Sequence, residues 1–218
     1  MRCGVDRLAG ERGPCGVGRQ ARVYNAFVHL GEEPELSPCL AVFLTGCNFR
    51  CEFCSDGPYV DRPLDHGVPL SATALADRAR HALAEHGIRG VEFVGGVPDI
   101  HLLSVAEACE RLPSGLEIAL NTNGWFTPEA LDVMTCWVDI LVVDLKFGPG
   151  ACGSELAQVK GYWPTVTRNL ALASAAGFRL IVRHLLMPGH LECCTRPALT
   201  WVSRHLPDAR PNVMTGYR

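Results

Sequence analysis

The sequence predicts an α/β fold, a partial (β/α)6 TIM-like barrel that follows an irregular N-terminal segment. From residue 39 onward, apolar stretches of strand length alternate with amphipathic stretches of helix length. The alternation repeats five times and ends in a short strand, as expected for parallel strands joined by helices. Residues 1–38 are rich in Gly, Pro and charged residues and show little periodicity. We therefore divide the chain into an irregular segment, 1–38, and a barrel domain, 39–218.

The predicted strands are short apolar runs, and turn-forming residues follow most of them. They cover 40–45, 90–94, 116–122, 140–146, 178–186 and 212–214. Gly46 ends the first run, Gly95-Gly96 the second, Asn123-Gly124 the third and Pro188-Gly189 the fifth. In such folds the loops after the strands form the active face, so polar residues at these positions are candidate site residues.

Five predicted helices fill the intervals between these strands. They cover 72–86, 100–112, a short stretch from 128, 164–176 and 196–205. Ser71 is placed to cap the first helix and Gly87 to end it. Thr127 is placed to cap the short helix, with Pro128 at its first position.

Composition excludes several classes of protein. The chain has 218 residues, 48% of them hydrophobic, and a formal net charge of −3, which disfavours a disordered chain and a basic nucleic-acid binder. The apolar runs are too short to span a membrane, and the N-terminus lacks the apolar stretch of a signal peptide. We therefore expect a cytoplasmic protein with no nucleic-acid or membrane partner. The 11 cysteines are odd in number, which favours reduced thiols, metal ligands or redox chemistry over a disulfide framework.

The most informative stretch is TGCNFRCEFCSD, directly after the first predicted strand. Cys47, Cys51 and Cys54 form a C-x3-C-x2-C pattern. Three thiolates on one short loop can bind three irons of a 4Fe–4S cluster and leave the fourth iron open for a ligand. A structural zinc site is the alternative, and it needs a fourth ligand such as His66 or Cys39.

This pattern, with Phe53 before its third cysteine, resembles that of the radical S-adenosylmethionine (radical SAM) superfamily. Further segments resemble the branch that contains the pyruvate formate-lyase activating enzymes and their uncharacterised relatives. These segments are CGVDRLAGERGPCG at 3–16, VDLKF at 143–147, VRHLLMPGH at 182–190 and PNVMTGYR at 211–218.

The resemblance implies an enzyme that reductively cleaves S-adenosylmethionine on a 4Fe–4S cluster. The resulting 5′-deoxyadenosyl radical abstracts hydrogen from a substrate, which is a glycyl radical enzyme or another protein, a peptide or a small molecule. The electron donor implied is of the flavodoxin or ferredoxin type. As in other cofactor enzymes, the protein supplies binding and orientation.

The resemblance also implies roles for individual residues. The cluster ligands are Cys47, Cys51 and Cys54, and Lys146 is assigned to catalysis with them. Phe53 and Ser55 are placed near the adenine and ribose, and Gly95 and Gly96 near the methionine end of the cofactor. Further cofactor-binding residues are Asn121, Thr122, Asp144, Lys146 and Arg183.

One position departs from the family pattern. The family has Gly-Gly-Glu after the second strand, and its Glu accepts hydrogen bonds from the cofactor ammonium. Here Val97 follows Gly95-Gly96, and valine accepts no hydrogen bond. Glu92, Asp99 or a backbone carbonyl can replace that acceptor; otherwise the chain is a non-catalytic protein that binds a cluster or zinc.

The remaining cysteines leave alternatives open. Cys3 and Cys15 are either ordinary residues or part of a second metal site. Cys193 and Cys194 are either packed at a helix start or act as redox groups, and Cys152 lies in a loop that can reach the active face.

Overall fold

The computed structural model describes residues 3–31 and 33–216. Eight strands form one sheet in the order β3-β1-β2-β4-β5-β6-β7-β8. Their bounds are β1 Arg22–His29, β2 Cys39–Leu44, β3 Val68–Pro69, β4 Gly90–Val94, β5 Glu117–Thr122, β6 Ile140–Asp144, β7 Arg179–Leu185 and β8 Arg210–Met214. In this order each neighbouring pair from β2 onward is parallel, and the strands of these pairs are β2, β4, β5, β6, β7 and β8. This arrangement confirms the predicted partial barrel of six parallel strands.

Helices connect the parallel strands. They are α1 Gly57–Asp61, α2 Ala72–His86, α3 Leu102–Cys109, α4 Pro128–Met134, α5 Cys152–Ala157, α6 Tyr162–Ala175 and α7 Arg196–His205. A 3-10 turn, Pro98–His101, precedes α3, and a π-helical turn, Leu191–Thr195, precedes α7. No helix in the described ranges has the length and apolar character needed to cross a membrane.

Local capping sets the helix bounds as predicted. The Ser71 hydroxyl accepts from the backbone N–H of Ala74, and Gly87 ends α2 in the left-handed region with φ +60°. The Thr127 hydroxyl accepts from the N–H of Ala130 at the start of α4, where Pro128 follows it. Each of these signals lies within four residues of the turn it controls.

The N-terminal segment differs from the prediction, because part of it is a strand and not irregular. β1 pairs antiparallel with β2 and with β3. A register shift between Val23 and Asn25 interrupts its alternation, and most of its residues are only half-buried. The period-two signal of a half-buried strand is therefore weak in this sequence.

Side chains that point to the inside of the curved sheet form a small cluster of their own. It contains Leu36, Cys39, Ala119, Ile140, Val142 and Ile181, and no helix residue. Because side chains two apart on a strand share a face, Asn121 follows Ala119, Asp144 follows Val142 and Arg183 follows Ile181. The barrel interior is thus mostly apolar below, where Glu92 is the buried exception beside Ala119 and Cys39, and polar at the carboxyl ends of its strands, where the candidate site lies.

Candidate active site

A cleft of about 370 Å³ opens at the carboxyl ends of the parallel strands. Every residue that the sequence analysis assigned to the site lines it: Cys47, Cys51, Phe53, Cys54, Ser55, Gly95, Gly96, Asn121, Thr122, Asp144, Lys146 and Arg183. The structure therefore brings the predicted residues together, while the role of each stays a prediction.

A larger cavity, of about 700 Å³, lies between β1, β3 and α2. Its described lining is mostly apolar and contains no cysteine, histidine or lysine. Chemistry and not size therefore identifies the smaller cleft as the candidate active site.

The cysteine loop between β2 and α1 is held by backbone hydrogen bonds to α5. The N–H of Arg50 donates to the carbonyl of Ala157 at 3.1 Å, and the N–H of Glu52 donates to that of Leu156 at 2.9 Å. The Arg50 guanidinium donates back to the carbonyls of Cys47 and Phe49, at 2.9 and 2.8 Å. These bonds fix the loop in a turn that presents all three thiols to the cleft.

The motif thiols are buried to different degrees, with Cys47 the most enclosed and Cys54 exposed. Burial raises the pKa of Cys47 to about 12 and that of Cys51 to about 11, so each thiol is costly to ionise unless a cation binds it. The neighbouring Lys146 partly offsets this effect at Cys51.

The surroundings of the motif fit a cluster better than one zinc ion. The cleft that the three motif thiols line does not include Cys39 or His66, the two residues considered as a fourth zinc ligand. Within residues 3–31 and 33–216, the groups of ligand atoms that all lie within 4.8 Å of one another are found elsewhere. A wider spacing suits thiolates that bind separate irons.

Glycines bring the loop after β4 against the cysteine loop. A Cβ on Gly96, which has φ +40°, would lie 2.0 Å from the carbonyl oxygen of Gly46, and the N–H of Val97 donates to that oxygen at 2.9 Å. No other residue fits at Gly96, so this close approach explains the glycine.

Charged side chains form a buried network on one wall of the cleft. Asp144 accepts from the Nζ of Lys146 and, at 2.7 Å, from the Nε of Arg183. Arg183 also pairs with Glu33 at 3.3 Å, and Asn212 donates to the same Glu33 oxygen at 3.3 Å. Burial opposes the charge of Asp144, but Arg183 and Lys146 outweigh it and hold the pKa of that carboxyl below its usual range.

Two members of this wall were missed by sequence reasoning. Glu33 comes from the segment predicted to be irregular, and no spacing links it to Arg183. The hydroxyl of Tyr162 accepts from the N–H of Lys146 at 2.7 Å and donates to the carbonyl of Asp144 at 2.9 Å. Tyr162 thus braces the backbone that carries both charges, a contact that only the fold reveals.

Because Val97 stands where the family has an acidic acceptor, the nearby acidic residues Glu92 and Asp99 are the candidates to replace it. Val97 is fully buried in the main core, away from the cleft lining. Glu92 is already engaged, since it accepts from Asn121 at 2.9 Å. Both carboxyl oxygens of Asp99 are buried without a hydrogen-bond partner, and burial raises its pKa to about 6, with Thr122 acting in the opposite direction. Asp99 is therefore the acidic candidate that has acceptor capacity to spare. It lines a separate pocket with Ile100 and His101, and its neighbour Thr122 connects it to the cleft lining.

The family model of the radical SAM superfamily matches residues 41–202, which include the cysteine loop, the first four predicted helices, most of the fifth and most of the sheet. This chain belongs to the radical SAM superfamily. Enzymes of this superfamily use a 4Fe–4S cluster and S-adenosylmethionine, and the three thiols and the cleft of this radical SAM chain fit that pair of cofactors.

Two relatives match different shares of this radical SAM chain. An uncharacterised protein of Methanocaldococcus jannaschii is 36% identical over 222 residues, which cover 100% of this chain and 64% of that protein. The GTP 3′,8-cyclase of Mycolicibacterium smegmatis is 41% identical over 142 residues, 63% of this chain and 39% of the cyclase. This chain thus spans less than two-thirds of the length of either relative.

Solved structures share the fold at low sequence identity. Streptococcus suis SuiB bound to S-adenosylmethionine has a TM-score of 0.54 at 16% identity, over 79% of this chain and 36% of SuiB. Native anSMEcpe with bound AdoMet and a peptide has a TM-score of 0.58 at 12% identity, over 78% of this chain and 48% of that chain. At such identities the likeness concerns the fold alone.

Proposed function

We propose that this radical SAM enzyme abstracts a hydrogen atom from a polypeptide, with a backbone glycine of a glycyl radical enzyme as its target. One observation supports this target above the others. The segments that resemble the activating-enzyme branch contribute Asp144, Lys146, Arg183, Leu185 and Met214 to the cleft lining. Three of the four segments that carry the resemblance therefore reach the cleft.

When bound, the cluster supplies one electron that cleaves S-adenosylmethionine to a 5′-deoxyadenosyl radical. In this proposal Cys47, Cys51 and Cys54 hold the cluster. Lys146, which is charged and lies at the cleft, binds the carboxylate of the methionine moiety, and Asp144 orients it. Asp99 accepts from the cofactor ammonium in place of the family glutamate.

Aromatic rings pack in pairs around the cysteine loop, and we infer that they limit the access of water to it. Phe53 packs edge-on against Phe147 with ring centroids 6.0 Å apart, and Phe49 packs edge-on against Trp125 at the same separation. Exclusion of water strengthens the electrostatic contacts inside the cleft and protects a reactive intermediate from side reactions.

A small-molecule substrate is the second candidate, and the comparison with two GTP 3′,8-cyclases favours it. The cyclase of Mycolicibacterium smegmatis and that of Edwardsiella ictaluri cover 63% and 72% of this chain. The two candidates predict different substrates for the same hydrogen abstraction.

The test is formation of 5′-deoxyadenosine by anaerobically reconstituted protein with dithionite and S-adenosylmethionine. The protein is assayed alone, with a glycyl radical polypeptide, and with GTP. Stimulation by the polypeptide, together with a glycyl radical signal in electron paramagnetic resonance, supports the proposal. Stimulation by GTP alone would favour the small-molecule candidate.

Two variants control the assay. Cys51→Ala should lose both the cluster absorbance and 5′-deoxyadenosine formation, because it removes one of the three thiols. Cys136→Ala should keep both, since that thiol is exposed and its hydrogen bond goes to the Asp132 carbonyl, four residues earlier in the chain. A cluster signal that survives Cys51→Ala would contradict the ligand assignment.

A further inference from the structure

A second group of metal-binding side chains lies beside the cleft, outside the cysteine motif. It consists of Cys152, His190, Cys193 and Cys194, whose ligand atoms all lie within 4.8 Å of one another. Cys152 begins α5 after the loop that follows β6, and the other three follow β7. The group therefore joins two neighbouring loops of the active face.

Four of the six distances between the ligand atoms of this group lie between 3.4 and 3.8 Å. The Nδ1 of His190 lies 3.5 Å from the Sγ of Cys152 and 3.4 Å from the Sγ of Cys193. The Sγ of Cys193 lies 3.7 Å from that of Cys152 and 3.8 Å from that of Cys194. Three sulfurs and one imidazole nitrogen thus surround one point.

These distances match the edges of a tetrahedron around one zinc ion. With Zn–S of about 2.3 Å and Zn–N of about 2.0–2.1 Å, ligand atoms at tetrahedral angles are roughly 3.5 Å apart for S–N pairs and 3.8 Å for S–S pairs. A 4Fe–4S cluster requires wider spacing, because each ligand binds a different iron. A disulfide would join only two sulfurs at about 2.05 Å and leave the imidazole and the third thiol without a role.

The backbone is shaped to bring these ligands together. Gly189, with φ +77°, places His190 at the start of the π-helical turn, and the His190 carbonyl accepts from the N–H groups of Cys194 and Thr195 at 3.0 and 3.2 Å. In a helical turn, residues three and four positions after His190 lie on its face, which places both cysteines there. π-helical turns are frequent at functional sites.

The loop after β6 approaches this turn at a glycine. A Cβ on Gly148 would lie 1.9 Å from the carbonyl oxygen of Cys193 and 3.1 Å from the Cα of Cys194. Only glycine permits this contact, which brings Cys152, four residues later, up to the other ligands.

We propose that Cys152, His190, Cys193 and Cys194 bind one Zn²⁺ as a structural Cys3His site. The three thiols release their protons to solvent as they bind the ion, and His190 binds through Nδ1 as neutral imidazole. Four protein ligands complete the coordination of zinc, so this ion has no open position for substrate.

The ion would hold the cysteine loop in place through α5. Cys152 is the first residue of α5, and the last residues of that helix, Leu156 and Ala157, accept the loop hydrogen bonds from Glu52 and Arg50. The short helix α5 therefore connects the zinc site with the loop that carries the cluster ligands. This inference does not depend on the substrate proposed above.

The test measures zinc in protein purified anaerobically. Wild-type protein and a Cys47→Ala, Cys51→Ala, Cys54→Ala variant should each contain about one zinc per chain, because the site is separate from the motif. Cys193→Ser and Cys152→Ser should lose this zinc, while Cys136→Ser should keep it. Zinc that follows the motif cysteines, or is absent from wild-type protein, would overturn the proposal.

A second measurement covers variants that fail to fold. Co²⁺ added to metal-free wild-type protein should give the intense visible bands of tetrahedral cobalt together with thiolate-to-cobalt charge transfer. The variant that lacks the three motif cysteines should give the same bands and bind one Co²⁺ per chain. A weak octahedral spectrum would contradict the proposed ligands. Alkylation without reductant followed by mass spectrometry should find Cys152 and Cys193 as thiols, and a disulfide between them would also overturn it.

Discussion

The backbone N–H of Arg50 donates to the carbonyl of Ala157 at 3.1 Å, which joins the cysteine loop to the end of α5. A second bond, from Glu52 to Leu156, runs beside it at 2.9 Å. The positions of the motif thiols therefore depend on the position of α5, which packs against α6 at Gly153 and Tyr162.

Replacing Gly153 by Ala should move α5 and loosen the cysteine loop. A Cβ at Gly153 would lie 2.7 Å from the Cβ of Tyr162, so α5 and α6 must separate. Overpacking of this kind costs about 1–3 kcal/mol. We expect faster loss of iron, sulfide and cluster absorbance after reconstitution. Gly150→Ala is the control, since nothing lies within 4 Å of a Cβ there, and equal cluster lifetimes in the two variants would contradict the coupling.

Replacing Asp144 by Asn should destabilise the folded protein more than an exposed charge change does. Lys146 and Arg183 would then share a buried wall without their common carboxylate, and breaking a buried pair costs about 3–5 kcal/mol. Chemical denaturation of Asp144→Asn measures this cost. Asp77→Asn removes an exposed ion pair with Arg80, and we expect a change of at most about 1 kcal/mol. Similar losses in both variants would refute the role of the network.

Replacing Asp99 by Asn should stabilise the fold above pH 7 and weaken cofactor binding. The folded form holds its proton up to about pH 6, against a usual pKa of 3.8, so the stability that neutral Asp99 contributes is lost as pH rises through this window. Because Asn does not ionise, the variant should have a free energy of unfolding about 3 kcal/mol higher than wild type above pH 7.

For the same variant, the amide oxygen still accepts but carries no negative charge, so we expect binding of S-adenosylmethionine to weaken by up to roughly 10- to 150-fold, the range for complete loss of a charge-assisted hydrogen bond. Titration of the reconstituted protein with S-adenosylmethionine checks this. Unchanged affinity would mean that another group accepts from the cofactor ammonium.

His101 should make the protein sensitive to mild acid. Burial lowers its pKa to about 4 from 6.5, and the nearby Arg7 acts in the same direction, although its hydrogen bond to the Thr45 carbonyl opposes them. The unfolded chain therefore takes up this proton first, and the free energy of unfolding should fall by about 3 kcal/mol as pH drops from about 6.5 to 4.

His101→Gln should remove that part of the pH dependence and keep a donor for the Thr45 carbonyl. Denaturation of wild type and variant at several pH values separates it from Asp99, which acts in the opposite direction over an overlapping range. Replacing the exposed His81 by Gln should leave the pH profile unchanged. A wild-type profile in His101→Gln would show that this residue does not cause the acid sensitivity.

The parallel strands and their helices were predictable because their signals are local. Five of the six predicted strands contain buried apolar runs, and Ser71, Gly87 and Thr127 cap helices through contacts within four residues. β1 was missed because its alternation is broken by a register shift, and α5 because six residues carry little periodicity.

In the site, too, the residues that are close in sequence were predictable and those that are far apart were not. Cys47, Cys51 and Cys54 are close in sequence, so their spacing alone indicated a ligand set. Cys152 and Cys193 are 41 positions apart, and Glu33 lies 150 positions from Arg183. Contacts of this range are set by the order of strands in the sheet, which no spacing reports.

The ion pair of Lys146 with Asp144 has a consequence for reactivity. Burial disfavours the charge on Lys146, but Asp144 and Cys51 outweigh it and raise the pKa of the amine. A protonated amine has no lone pair, so Lys146 cannot add to a carbonyl group and form an imine. The chain has one other lysine side chain, the exposed Lys160, which stays open to acylating reagents. Among the residues of the described ranges that line it, the cleft thus offers a substrate a fixed cation and no nucleophilic amine.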